Sequence, residues 1–239
     1  MKKIAFSLFT LLLVTTVSAQ KNEVINGNGK NGKVDRKTAA YDKVKVVGFF
    51  DIDLVSGTEG NLTLEGDQNI LDYIVTEVTN NTLTISTQKG ISLRTGKNKL
   101  LITVPVETLD EISLVGSGDI NSKSTIKGAN MDVILAGSGD INLSLDNTKT
   151  NVSITGSGDI RLKGKTTDFI GNVSGSGDLS CSDFKAQNVE VSISGSGDAK
   201  VYASNALKAR VSGSGDIQYS GNPAKQDTKT SGSGSISKN

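Results

Sequence analysis

The tetrapeptide Gly-Ser-Gly-Asp begins at Gly116, Gly137, Gly156, Gly175, Gly195 and Gly213, and a seventh copy, Gly232-Ser233-Gly234-Ser235, lacks the acid. The spacings are 21, 19, 19, 20, 18 and 19 residues. No other feature restricts the fold as much. A fixed period near 20 means one supersecondary unit repeated, and such units stack because none can bury its apolar face alone.

The residues around the motif say how the unit is built. Two residues before the first Gly stand Leu114, Leu135, Ile154, Val173, Ile193 and Val211. Four residues after it stand Ile120, Ile141, Ile160, Leu179, Ala199, Ile217 and Ile236. Both sets share one parity, so an extended chain points them into one interior. Ser and Asp then face outward, and both glycines face inward at a corner with no room for a side chain. A two-residue hairpin with Ser-Gly at its tip would send the two apolar sets to opposite faces. A three-residue Ser-Gly-Asp loop would restore one face, so a hairpin array stays open. The bent strand of a β-solenoid fits directly, with coils stacked at about 4.8 Å. The corner keeps its length in every copy. Length changes are therefore expected at the opposite turn, in 127–130, 146–148, 164–168, 185–188 and 203–205. A variable edge is the usual place for recognition in repeat proteins.

Upstream, Val44 to Val115 shows period-2 alternation such as Ile52/Leu54, Leu62/Leu64, Leu83/Ile85 and Ile112/Leu114. Turns such as Asn80-Asn81 and Lys89-Gly90 separate these runs. The start of the chain fixes the compartment. Met1-Lys2-Lys3, the apolar run Ile4–Val17 and the small-residue site Val17-Ser18-Ala19 read as a signal peptide over 1–19. Residues 20–40, polar and rich in Gly and Asn, read as a flexible leader. The β-helix domain is then 41–239, with irregular coils over 41–115 and repeat coils over 116–239. No Cys follows the cleavage site for a lipid anchor, and no later segment is apolar enough to cross a bilayer.

Removing Lys2 and Lys3 leaves 26 − 2 = 24 basic residues against 25 acidic ones. That balance disfavours nucleic acid and anionic membrane surfaces as partners. The single Cys181 has no disulfide partner and shares its position with Leu143, Leu162 and Val201, which marks it as a small core residue.

There is no histidine. Ser-His-Asp and Cys-His catalysis and His-based metal sites are thereby removed. Gly27-Asn28-Gly29-Lys30-Asn31-Gly32 matches G-x-G-x-x-G in letters only, because no strand is expected before it and no helix after it, and it reads as linker composition. No catalytic, cofactor-binding or metal-binding residue is assigned. The Asp row, Asp119, Asp140, Asp159, Asp178, Asp198 and Asp216, still needs a reason. Carboxylates about 4.8 Å apart repel by about 0.9 kcal/mol in water. Turn N–H groups can offset this, and a shared cation such as Ca²⁺ is the alternative. Catalysis by carboxylate pairs in the row is disfavoured, because an active site is a local exception and these acids recur in every repeat. The aromatics Phe49, Phe50, Tyr73, Phe169, Phe184, Tyr202 and Tyr219 could form a sugar-stacking platform, but they do not recur at one position, which favours core or groove filling.

The motif Val115-Gly116-Ser117-Gly118-Asp119-Ile120, its later copies, the signal peptide and the alternating upstream half resemble one family over about residues 41–238. It is the "putative auto-transporter adhesin, head GIN domain" family of exported Gram-negative bacterial proteins. The resemblance implies an all-β fold, a single-stranded right-handed parallel β-helix (β-solenoid) with coils of about 20 residues. It also implies an adhesive role without catalytic residues. No translocator barrel is expected after the repeats. The expected function is that of an exported, non-enzymatic binding or scaffold protein of the periplasm, outer-membrane surface or extracellular space. Its ligand would be a glycan or a host or matrix protein. A carbohydrate-active enzyme or carbohydrate-binding module, and a self-assembling envelope protein, are the alternatives. End coils can pair with other chains, so a homo-oligomer is among the expected partners, although Ser231–Asn239 reads as a polar cap.

Overall fold

The computed structural model describes residues 22–239, and the expected signal peptide lies outside them. The upstream strands are β1 (Glu23–Asn26), β2 (Asn31–Lys37), β3 (Lys43–Gly48), β4 (Asp51–Ser56), β5 (Asn61–Asp67), β6 (Ile74–Thr79), β7 (Thr82–Thr87), β8 (Ile91–Arg94) and β9 (Leu101–Val106). The repeat strands are β10 (Glu111–Gly116), β11 (Asp119–Gly137), β12 (Asp140–Gly156), β13 (Ile160–Gly175), β14 (Leu179–Gly195), β15 (Ala199–Gly213), β16 (Ile217–Ser220), β17 (Lys225–Gly232) and β18 (Ile236–Lys238). A 3-10 turn, Leu71–Tyr73, is the one helical element among the described residues.

From β10 onward every pairing is parallel, and each strand up to β16 pairs with the coils before and after it, while β17 and β18 pair only with the coil before. The structure is a β-solenoid of stacked parallel coils. The parity argument holds. Ile120, Ile141, Ile160, Leu179, Ala199, Ile217 and Ile236 are successive ladder partners, and all but the half-buried Ile236 are buried. Leu114, Leu135, Ile154, Val173, Ile193 and Val211 form the facing column of the same core. Cys181 is buried over Val201, as its position implies, and burial pushes its thiol pKa up. Phe50, Phe169 and Phe184 fill the interior, the last two edge to face with centroids 5.7 Å apart.

The glycine column is longer than the motif count. Gly48, Gly116, Gly137, Gly156, Gly175, Gly195, Gly213 and Gly232 lie in one register. Val47-Gly48-Phe49-Phe50-Asp51-Ile52 is therefore a degenerate first corner, with Ile52 paired to Ile120. The coil made by β3 and β4 sits out of sequence order. β3 lies between β7 and β10, and β4 lies between β9 and β11. The chain builds this coil first, turns back to lay β7 and β9 on one side of it, then continues on the other.

The N-terminal end closes with antiparallel strands. β6 and β7 form a hairpin whose turn residues, Asn80 and Asn81, have φ of 50° and 60°, as a two-residue primed turn requires. β5 runs antiparallel to β9, and β2 runs antiparallel to β5. The flexible-leader expectation for residues 20–40 is thus corrected over Glu23–Lys37. β2 has little apolar surface, but β5 offers it a seven-residue backbone ladder, and β1 pairs with β8. Side-chain bonds add to this. The Arg36 guanidinium donates to the carbonyls of Leu71 and Ile74. Buried Asp67 accepts from Gly96 N–H at 2.5 Å and Asn98 Nδ2 at 2.7 Å. Gly27 lies so close to Asp67 that a Cβ there would sit 2.0 Å from its carboxylate, so this glycine is a packing position rather than linker composition.

Candidate functional site

Each corner is held by a relay of bonds between coils. Gly116 O accepts from both Ser138 N–H (2.9 Å) and Gly139 N–H (3.2 Å). The next amide in the chain, that of Asp140, is satisfied by a side chain one coil below: Asp119 Oδ1, at 3.2 Å. The pattern repeats. Asp159, Asp178, Asp198 and Asp216 N–H donate to Oδ1 of Asp140, Asp159, Asp178 and Asp198 at 3.2, 3.0, 2.8 and 2.8 Å. In the last copy Ser235 supplies both its N–H (2.7 Å) and its hydroxyl (2.9 Å) to Asp216. Such charge-assisted bonds offset repulsion along the row. The acids are mortar between coils, which explains why they recur. Among the described residues no group of three or more metal-ligating side chains gathers at the row.

The glycines are needed for a different reason than expected. A Cβ on Gly139 would lie 2.0 Å from Gly118 O, and one on Gly158 would lie 2.0 Å from Gly139 O. The obstruction is the backbone of the coil below, so the missing side chain lies along the stacking direction as much as toward the core. The first glycine of each motif also has positive φ, 139° at Gly137, a region L side chains rarely adopt.

The edge opposite this corner carries a concavity built from the turns of adjacent coils. A groove of about 560 Å³ is lined by Asp146, Asn147, Lys165, Thr166, Lys185 and Tyr202 together with neighbours from the same turns. These residues fall in or beside the segments expected to vary. The Lys185 ammonium lies 4.0 Å from the centre of the Tyr202 ring, an aromatic face held beside a cation. Behind the rim, Thr166 Oγ1 donates to Thr148 O at 3.1 Å, and Thr150 Oγ1 donates to Thr166 Oγ1 at 3.4 Å. Asn147 is 7% exposed, and neither its amide oxygen nor its amide nitrogen has a partner. Buried amides are nearly always satisfied, so this one marks a place where the edge is polar beyond what the fold uses. Its partner on the coil below is Gly128, which leaves it space.

Length variation is spread more widely than the sequence implied. Register shifts occur between Asn121 and Thr125, Arg161 and Gly164, Cys181 and Lys185, and Ala186 and Asn188. Only the last lies within an expected turn. The other three fall in the strand segments leading into that edge, where the chain bulges outward without breaking the core. Those bulges shape a second groove of about 540 Å³, with Lys123, Arg161, Lys163, Asp183 and Lys200 on its walls. Lys123 pairs with Asp53 at 2.9 Å, and Arg161 with Asp159 at 3.0 Å. The local sequence marked the variable segments that line the first groove but gave no sign of the second, and the shape of both depends on which turns come to lie side by side.

The family described as "putative auto-transporter adhesin, head GIN domain" matches residues 40–223. Solved structures agree on the fold. A putative adhesin from Bacteroides fragilis superposes with a TM-score of 0.86 at 29% identity, covering 90% of this chain and 100% of that one. A putative lipid binding protein from Parabacteroides distasonis gives 0.74 at 29% identity, over 91% and 100% of the two chains. A putative adhesin from Parabacteroides merdae gives 0.71 at 21% identity, over 90% and 99%. No curated protein matches the chain. Among the described residues no helix is long and apolar enough to cross a membrane.

Proposed function

We propose that this chain, which belongs to the "putative auto-transporter adhesin, head GIN domain" family, is an exported binding protein of the cell surface or envelope whose variable solenoid edge holds a glycan. The family and the adhesin-named neighbours support a binding role directed at an external ligand. The edge groove carries the rest of the reading. It joins a cation-flanked aromatic ring to amide, hydroxyl and carboxylate groups from adjacent coils. Sugars present the matching chemistry: hydroxyls for the polar groups and a C–H face for the Tyr202 ring.

The acids that could serve an enzyme are already engaged in holding coils together, and this supports binding over hydrolysis. An exported protein with one buried thiol and no disulfide must resist its surroundings through its core and its ladders, and the stack supplies both.

A glycan array with the purified chain tests the reading. The expected result is selective binding that Tyr202→Ala and Lys185→Ala each weaken at least tenfold while the melting temperature stays unchanged. Binding of no glycan, or binding indifferent to both substitutions, would remove the edge groove from consideration.

A further inference from the structure

β17 ends the stack, and among the described residues it pairs with β15 on one side only. All eight of its residues are exposed. Its outer edge presents backbone donors and acceptors with no partner strand, the situation proteins ordinarily avoid with short, charged or covered edges. Register sets the direction of its side chains. Gln226, Thr228 and Thr230 pair with the buried Leu207, Ala209 and Val211 and continue their inward column. Lys225, Asp227, Lys229 and Ser231 take the outward alternation.

We infer that this edge pairs with the same edge of a second copy of the chain, antiparallel, about a two-fold axis at Thr228. Charge and ladder length together select that register: centred on Gln226, Lys225 also faces Asp227, but only residues 225–227 of the strand can pair, because β17 begins at Lys225. Centred on Thr228, each Asp227 faces Lys229 of the second copy, and Lys225 faces Ser231. Centred on Asp227, the two Asp227 carboxylates meet and Lys225 opposes Lys229. Centred on Lys229, the two Lys229 ammonium groups meet. Opposite charges directly across an antiparallel pair stabilise it, and like charges destabilise it. Arg210 Nη2 holds Asp227 Oδ2, which fixes the side chain and leaves Oδ1 for the lysine of the second copy.

The rest of the end coil is compatible with this axis. A two-fold normal to the sheet keeps inward residues inward, so Thr228 meets Thr228 and Gln226 meets Thr230, all able to hydrogen-bond. The last coil is polar in its side chains yet open along its backbone, and a matching polar end satisfies both properties. The contact is isologous: it uses the same edge twice and stops at two copies. The N-terminal end is built differently, with antiparallel β2 and β6 and a core covered by Ile70 and Leu71, so it does not continue the β17 pairing into a filament.

Sedimentation of the chain over a micromolar to submillimolar range tests the inference, together with charge variants. A concentration-dependent dimer is expected. Lys229→Glu and Asp227→Lys should each dimerise about tenfold more weakly, and an equimolar mixture of the two should recover a heterodimer, because its cross-strand charges are opposite again. Thr228→Cys should oxidise to a covalent dimer, since facing residues of an antiparallel pair lie within disulfide reach, whereas Lys225→Cys should not. Circular dichroism confirms that each variant is folded. A monomer throughout the range, growth beyond two copies, a mixture that fails to recover, or equal cross-linking at positions 225 and 228 would each overturn it.

Discussion

Replacing Gly158 with Ala isolates the closeness of the coils from the backbone angles of the corner. Gly158 is the second glycine of its motif, and its φ lies outside the left-handed range, so an alanine is not strained by conformation. The whole cost comes from space. The new Cβ would stand 2.0 Å from Gly139 O and 3.0 Å from Gly139 N. Relief requires the two corners to part by more than about 1 Å, since carbon and oxygen settle above roughly 3 Å. That movement breaks three bonds: Ser157 N–H to Gly137 O (2.9 Å), Gly158 N–H to Gly137 O (3.1 Å) and Asp159 N–H to Asp140 Oδ1 (3.2 Å). At about 1 kcal/mol for each ladder bond, and somewhat more for the charge-assisted one, the loss is about 3–4 kcal/mol. Equilibrium urea unfolding followed by circular dichroism measures it. Ser157→Ala, at the exposed tip of the same corner, is the control and should stay within about 0.5 kcal/mol of the parent. A loss below about 1 kcal/mol for Gly158→Ala would refute the reasoning, because coils in the described contact leave no place for that methyl group.

Three further outcomes are expected. Asp159→Ala should destabilise by about 1–2 kcal/mol, a value reduced for partial solvent exposure, whereas Asp159→Asn should recover most of it because the amide oxygen still accepts the Asp178 N–H; thermal unfolding with and without a chelator should give the same midpoint. Cys181 should resist a thiol reagent at pH 8 in the native state and react fully on unfolding, since burial both shields the thiol and pushes its pKa up. Asp227 should titrate below the ordinary carboxylate value of 3.8, because the Arg210 guanidinium bonds to it; its contribution is present above that unfolded value and is lost as pH falls through the lower folded one, and carboxyl NMR of Arg210→Gln should show the titration moving back up.

Much of the fold can be read directly from the repeat. The shared parity of Leu114 and Ile120, repeated six times, forces one interior, and the ladder partners follow from it. The first corner, at Gly48, was equally legible as V-G-x-x-D-I, but Phe49 and Phe50 replace the Ser-Gly by which the motif is recognised. Other features lie beyond local pattern. Glu23–Lys37 has the composition of a linker and becomes strand because the edge of β5 is available, a matter of tertiary backbone bonding. The position of β3 and β4 inside the stack is equally non-local. The Asp row was visible as a repeat, and the possibility of an N–H partner was evident, but that partner lies one coil away rather than in the same turn. For the edge groove the variable segments were identifiable in advance, while the pairing of Lys185 with Tyr202 and the unpartnered amide of Asn147 needed coordinates. The register shifts at Asn121, Arg161 and Cys181 escaped because an outward bulge leaves the apolar columns intact.

The stacking itself can be measured with spin labels at the exposed serine of each corner. Double electron–electron resonance between Ser117 and Ser176, Ser196 or Ser214 spans three, four and five coils. Backbone separations should rise by about 4.8 Å per coil, to about 14, 19 and 24 Å before allowance for the label arms. A linear series with that increment is the result the account predicts. Distances that fail to increase from Ser176 to Ser214, or that step by the width of a hairpin rather than one strand spacing, would contradict it.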